Sequence, residues 1–119
     1  MVLLVEDEPL IVALVEDALR EGGFGVTVAV DGPEAQAVLM SGSEFQGMVV
    51  DINLPGPMSG WDLARIARTE FPKIAVVYAT GHGELEWAVE GVPGSVLISK
   101  PYAPAQAIMA LSQQLNIAG

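Results

Sequence analysis

The sequence contains no cysteine. That excludes disulfides and thiolate-held metals, and it fits a reducing compartment. A single histidine, His82, is too few for an imidazole-ligated zinc site. Basic residues are scarce: five stand against fifteen acidic ones, for a net charge of −10. Such a surface repels a phosphate backbone, so direct nucleic-acid binding is not expected. Most of the acidic residues are expected simply to form a solvated surface. No uninterrupted apolar stretch approaches the ~18 residues of a membrane span. The longest, residues 9–15, runs straight into Glu16 and Asp17. The start lacks the basic region and small-residue cleavage site of a secretory signal. A cytoplasmic location without membrane contact is the expectation. Also missing are G-x-x-x-x-G-K-[ST], G-x-G-x-x-G and G-x-S-x-G, so nucleotide-driven catalysis and serine hydrolysis lack support.

What is present is apolar and periodic. At 119 residues and 51% hydrophobic content, the chain is expected to form one domain spanning residues 1–119 with a substantial core. Short apolar runs at 2–5, 25–29, 47–50, 74–79 and 95–99 read as buried strands. Helical patterns separate them. Pro9 suits a first helical position, with Ile11, Leu14 and Ala18 expected inward and Glu16 pairing with Arg20. Gly22-Gly23 ends that helix. Asp31 caps a second helix, with Ala35, Val38 and Leu39 inward. Ser59 caps a third, with Trp61, Leu63, Ile66 and Ala67 inward and Asp62 and Arg65 outward, before Pro72 stops it. Pro104 opens the last, with Ile108, Leu111 and Leu115 on one face. The weakest stretch is 81–94, which holds four glycines and Pro93. Only Leu85, Trp87, Ala88 and Val89 can build a helical face there, so a short, mobile helix is expected. Met40, Met48, Met58 and Met109 read as packing residues. Alternating strand and helix imply an α/β fold with a parallel sheet covered on both sides. Ligands in such folds bind at the carboxyl ends of strands, where the strand order reverses.

Four of the five runs end in a chemical signal. Glu6-Asp7 follows the first, Asp51 the third, Thr80 the fourth and Lys100-Pro101 the fifth. In a parallel sheet all four land on one edge. Alone, Asp51 reads as an ordinary cap, Thr80 as a strand residue and Lys100 as a surface cation. Together they make a site. Mg²⁺ takes hard oxygen ligands and keeps several waters. Carboxylates of Glu6, Asp7 and Asp51, with the backbone carbonyl of Asn53, would supply those ligands. The cation offsets repulsion among the acids and lets a phosphoryl group approach. Asp51 would then act as nucleophile and form an aspartyl-phosphate. Lys100 would pair with Asp51, and Thr80 would hydrogen-bond a phosphoryl oxygen. The Lys100-Pro101 bond is a candidate cis peptide. His82 sits at the rim, with water ordering or a plain loop position as its two readings.

These residues resemble the receiver domain of two-component response regulators. The matching motifs are Val5-Glu6-Asp7-Glu8-Pro9, Asp51-Ile52-Asn53-Leu54-Pro55, Ala79-Thr80-Gly81 and Ser99-Lys100-Pro101-Tyr102. The resemblance covers nearly the whole chain. It implies a (βα)5 flavodoxin-like three-layer sandwich with strand order 2-1-3-4-5. It also implies phosphoryl transfer to Asp51 from a histidine kinase or histidine phosphotransfer protein, with Mg²⁺ as cofactor. Thr80 and Lys100 would relay the change to a face that binds an unknown downstream protein. No turnover enzyme is implied beyond the domain's own phosphoryl transfer and dephosphorylation. Two departures stand out. The loop after Asp51 is about one residue longer than usual, and Leu97 stands where the family carries a switch aromatic. Tyr78-Ala79-Thr80-Gly81 resembles a subgroup with Phe-Ala-Thr-Gly at strand four, whose members are often stand-alone receivers. The alternatives are a receiver fragment of a hybrid kinase or longer regulator, an Mg²⁺-dependent aspartate-nucleophile phosphatase, and a flavodoxin-like cofactor binder. The phosphatase usually needs a second Asp where this chain has Asn53. An aspartate-crowded crevice would suit an anionic cofactor poorly.

Overall fold

Four consecutive apolar residues with both faces covered form β1 (Val2–Val5), an inner strand of a parallel sheet. The structure is a computed structural model that describes residues 1–81 and 84–118. After β1 come α1 (Pro9–Glu21), β2 (Val26–Ala29), α2 (Gly32–Leu39), β3 (Gly47–Asp51) and α3 (Gly60–Glu70). Then follow β4 (Ala75–Thr80), α4 (Glu84–Glu90), β5 (Val96–Ser99) and α5 (Pro104–Ala118). The sheet order is β2-β1-β3-β4-β5, all parallel. This is the flavodoxin-like order expected above. The order reverses between β1 and β3, and the acid signals sit at their carboxyl ends.

Strand pleating sends alternate side chains into two cores. Leu3, Val5, Met48, Val50, Val76 and Tyr78 face α2 and α3. Val2, Leu4, Val49, Val77 and Ala79 face α1 and α5. Local chemistry sets the helix starts. Asp31 accepts the Glu34 N–H at 2.9 Å to begin α2. Ser59 and Asp62 form a reciprocal capping box at α3.

The helical faces differ from expectation in two places. In α1 the buried residues are Val15 and Leu19, while Leu14 is 53% exposed. Leu14 turns from the sheet because it lines a hollow between α1 and the loop after β5. In α4, Ala88 and Val89 point outward, and among the described side chains of the helix Trp87 is the one that packs on the core. The Leu85 side chain lies outside the described residues. Met48 and Met58 pack as expected, whereas Met40 and Met109 are exposed.

The carboxyl end of α4 is held by polar contacts instead. Arg65 donates to the Glu90 carbonyl at 3.2 Å and to its carboxylate at 3.0 Å. Arg68 donates to the Pro93 carbonyl at 2.6 Å. The buried Tyr78 hydroxyl accepts the Val92 N–H at 3.1 Å. Trp87 Nε1 donates to Ser95 Oγ, which donates to the Val92 carbonyl. At the opposite end of β4, Gln114 completes the ladder. Its amide accepts from Val76 N–H at 2.9 Å and donates to Val76 C=O at 3.0 Å, just before the first β4–β5 partner pair, Val77 and Val96.

Candidate functional site

The site is built by where strands stop. Val5 pairs with Val50, and Asp51 pairs with Ala79, so the exits of β1, β3 and β4 lie side by side. Asp51 is the last residue of β3 and is 5% exposed. Its Oδ1 accepts the Asn53 N–H at 3.0 Å. Gly60 allows α3 to sit directly on this turn. Its N–H donates to the Ile52 carbonyl at 3.0 Å, and a Cβ there would lie 2.5 Å from the Asp51 carbonyl oxygen.

Glu6 turns inward and is 2% exposed; Asp7, next to it, is exposed. Glu6 Oε2 accepts the N–H groups of Asp7 at 3.0 Å and Glu8 at 3.2 Å. One carboxylate oxygen from each of Glu6, Asp7 and Asp51 lies within 4.8 Å of the others. Oxygens about 2.1 Å from a Mg²⁺ stand roughly 3–4 Å apart, so this all-oxygen set fits that ion with small adjustments.

Lys100 reaches in from β5. Its Nζ lies 2.7 Å from Asp51 Oδ2 and 3.2 Å from Glu6 Oε1. Its N–H donates to the Thr80 carbonyl at 2.8 Å, which ties the two strand exits together. Thr80 is the buried last residue of β4, one position past the Asp51 partner Ala79. The Lys100-Pro101 bond is cis. Burial raises the Glu6 pKa, and the negative charge of Asp51 adds to the rise; the Glu8 N–H and Lys100 oppose it in part. Burial works against the Lys100 ammonium, yet the hydrogen bond and charge of Asp51, with Glu6, hold its pKa above the ordinary value. Three carboxylates and one ammonium leave two formal negative charges, which one divalent cation would neutralise.

The crevice therefore gathers Glu6, Asp7, Asp51, Thr80 and Lys100. Asn53 lies on its rim, exposed, with its N–H already given to Asp51. His82 lies outside the described residues. Leu97 sits beside Tyr78 in register and packs against the α2–α3 core. Tyr78 and Tyr102 enter the sequence argument only as members of motifs, without a structural role, and Gly60 enters it without any. Gly60 had one usable signal: a glycine directly after the Ser59 cap, where bulk would be harmless on an open helix start. Tyr102 is half-buried at the crevice wall, and burial, with the nearby Glu6 charge, pushes its phenol up to about 12. Next to Lys100 lies an apolar hollow of about 470 Å³, flanked by Glu8, Leu10, Leu14 and Tyr102.

A doubly wound α/β sheet with acids and a lysine at its switch point defines the class. Comparison with known proteins gives the family. Residues 2–112 match the response regulator receiver domain, and the chain belongs to that family. It is a phosphoryl-accepting signalling receiver. It is similar to a response regulator receiver protein from Sinorhizobium medicae WSM419, with 43% identity and a TM-score of 0.92 over 97% of this chain and 93% of that one. It is 32% identical to the probable transcriptional regulatory protein TcrX of Mycobacterium tuberculosis, over 99% of this chain and 50% of TcrX. It is 36% identical to the response regulator protein FleR of Pseudomonas aeruginosa, over 76% of this chain and 19% of FleR. The chain thus spans half or less of the length of these curated relatives. The phosphatase and cofactor-binder alternatives are not favoured. No helix among the described residues is long and apolar enough to cross a membrane.

Proposed function

We propose that Asp51 is the phosphoryl acceptor and that Glu6, Asp7, Asp51 and the Asn53 carbonyl hold a Mg²⁺ ion. The observation that carries this is the convergence of three carboxylate oxygens within 4.8 Å, with Lys100 Nζ 2.7 Å from Asp51. When bound, the ion would supply charge neutralisation for the incoming phosphoryl group. The chain's own residues do the rest. An Asp51 oxygen attacks the phosphorus of a phosphohistidine on a histidine kinase or phosphotransfer protein. The P–N bond breaks, the imidazole leaves, and Asp51 carries an acyl phosphate. The Asn53 N–H and the Lys100 ammonium orient the carboxylate before attack. Lys100 then follows the new negative charge, and the Thr80 hydroxyl bonds a phosphoryl oxygen. Both lie on the β4–β5 side, so the change reaches α4, whose seven residues rest on the core through Trp87.

The exposed Leu10 and Leu14, beside the hollow at Lys100, suit an apolar face of the phosphodonor protein. The domain's transfer and loss of phosphate are its own chemistry, without turnover of a separate substrate. A net charge of −10 supports a protein rather than a nucleic acid as its downstream contact. Residues 1–119 are read as one receiver unit, and the absence of cysteine supports a cytoplasmic setting for it.

The site itself is tested with a small acyl phosphate and Mg²⁺, read by intact mass and site mapping. The wild-type chain should gain one phosphoryl group, and Asp51→Asn should gain none. Labelling of the Asp51→Asn chain would place the acceptor elsewhere.

A further inference from the structure

Five basic residues serve a chain of net charge −10, and their pairing is uneven. Arg20 pairs with Glu16, Arg65 with Asp62 and Glu90, and Lys100 with Glu6 and Asp51. Among the described residues, Arg68 and Lys73 have no carboxylate partner. Both line the same cavity, of about 230 Å³, at the amino end of β4. With a rise of about 3.3 Å per residue, that is roughly 17 Å from the Asp51 crevice along the strand. The walls are Pro72, Pro93, Gly94 and the Gln114 side chain, and none of the lining residues is acidic. Gln114 has both ends of its amide committed to Val76, so it offers no compensation.

A third observation falls on the same residue. Arg68 Nε is buried without a hydrogen-bond partner, and it is the one such side-chain atom among the described residues. A buried orphan N–H is rare in folded proteins; this one is closed to solvent, so an anion in the cavity would meet the outer N–H groups of the guanidinium and would reach Nε only indirectly. The guanidinium is meanwhile fixed at its other end by the Pro93 carbonyl, at 2.6 Å. Guanidinium groups take oxyanions through two parallel donors, and an ammonium nearby adds a point charge.

We propose that this cavity binds a single oxyanion group, a phosphate or a carboxylate, held by Arg68 and Lys73. The volume of about 230 Å³ is ample for one such group. Because Arg68 also holds the loop between α4 and β5, a bound anion would clasp the α3–β4 turn to that loop.

Nitrogen NMR of the ¹⁵N-labelled, Mg²⁺-free chain tests this directly, since the Arg68 Nε–H is itself a signal. Sodium phosphate and the carboxylate of N-acetyl-glutamate amide are titrated separately, each against sodium chloride at equal ionic strength. The Arg68 Nε–H and the Gly94 amide should shift and saturate with at least one of the two. Saturation by phosphate points to a free phosphate ligand, and saturation by the glutamate compound to a protein carboxylate. Lys73→Gln, an exposed change that should not disturb folding, should weaken binding about tenfold. Arg68→Lys should abolish saturation. Signals that stay still, or that move equally under chloride, would overturn the site.

Discussion

At the scale of single residues, Lys100 is the charge on which the metal-free crevice depends. It sits between two carboxylates that are almost sealed from solvent. Removing one partner of a buried ionic group leaves the others uncompensated, at about 3–5 kcal/mol. Lys100→Ala should therefore lower the stability of the metal-free chain by roughly 3 kcal/mol in urea unfolding. It should leave Mg²⁺ affinity unchanged or tighter, because the ion then faces more uncompensated negative charge. Weaker Mg²⁺ binding by titration calorimetry would contradict that account. The two tyrosines give a second test. Burial raises both phenols, Tyr102 to about 12 from an ordinary 10.0, and Tyr78 in the same direction. Folded pKa values above the unfolded ones mean the native chain holds these protons longer. That part of stability is whole below pH 10.0 and is lost as pH climbs through about 12. Absorbance at 295 nm should show little tyrosinate in the folded chain at pH 10.0. Half-ionised tyrosine at that pH would refute the burial argument.

The same residues show what a sequence can and cannot reveal. Asp51, Glu6, Asp7 and Lys100 were legible because each follows an apolar run, and parallel strands must bring such positions to one edge. Gly60 was not, because its role is to leave room, and space is a property of two segments brought together. The Tyr78 hydroxyl was hidden for a related reason. Its partner, the Val92 N–H, lies 14 residues further on, in a loop whose path no local pattern dictates.

Elements were readable where periodicity was strong. The starts of α2 and α3 follow from Asp31 and Ser59, whose side chains can satisfy helical N–H groups whatever the tertiary context. The inward face of α1 was misassigned because both Leu14 and Val15 are apolar, and a helix carrying apolar residues on two sides does not declare which faces the sheet. Leu14 instead lines the hollow beside Lys100. For α4, seven residues long, Trp87 packs on the core and the carboxyl end is gripped by polar contacts. Amide exchange should consequently be uneven. Residues 84–90 should exchange fast, and the Val92 and Ser95 amides slowly, in the unphosphorylated chain. Tyr78→Phe leaves the Val92 N–H buried without a partner, which costs about 1–3 kcal/mol. It should abolish the protection of the Val92 amide. Uniform slow exchange across 84–95 in the wild type would argue against this division.

For the molecule as a whole, surplus negative charge sets the response to cations. The chain carries −10 overall, and the crevice holds two uncompensated charges of that total. A ligand that binds the folded form stabilises it by RT ln(1 + [L]/Kd), about 2.7 kcal/mol at a hundredfold excess over Kd. Mg²⁺ should raise the melting temperature by several degrees, and chelation should reverse the rise. Asp51→Asn should blunt the effect, since one ligand of the set loses its charge. An identical melting curve with and without the ion, at equal ionic strength, would remove the metal from the proposed mechanism.

The Gln114 contact bears on how this chain may be trimmed. The family match stops at residue 112, two positions short of that glutamine. A truncation drawn at the match would unzip the seam between α5 and β4 and bare the Val76 peptide group beside the sheet margin. Exposed main-chain donors and acceptors at a margin recruit strands from neighbouring molecules. Shortened versions ending at 112 should clump where the longer chain stays dispersed, with every signalling residue still in place.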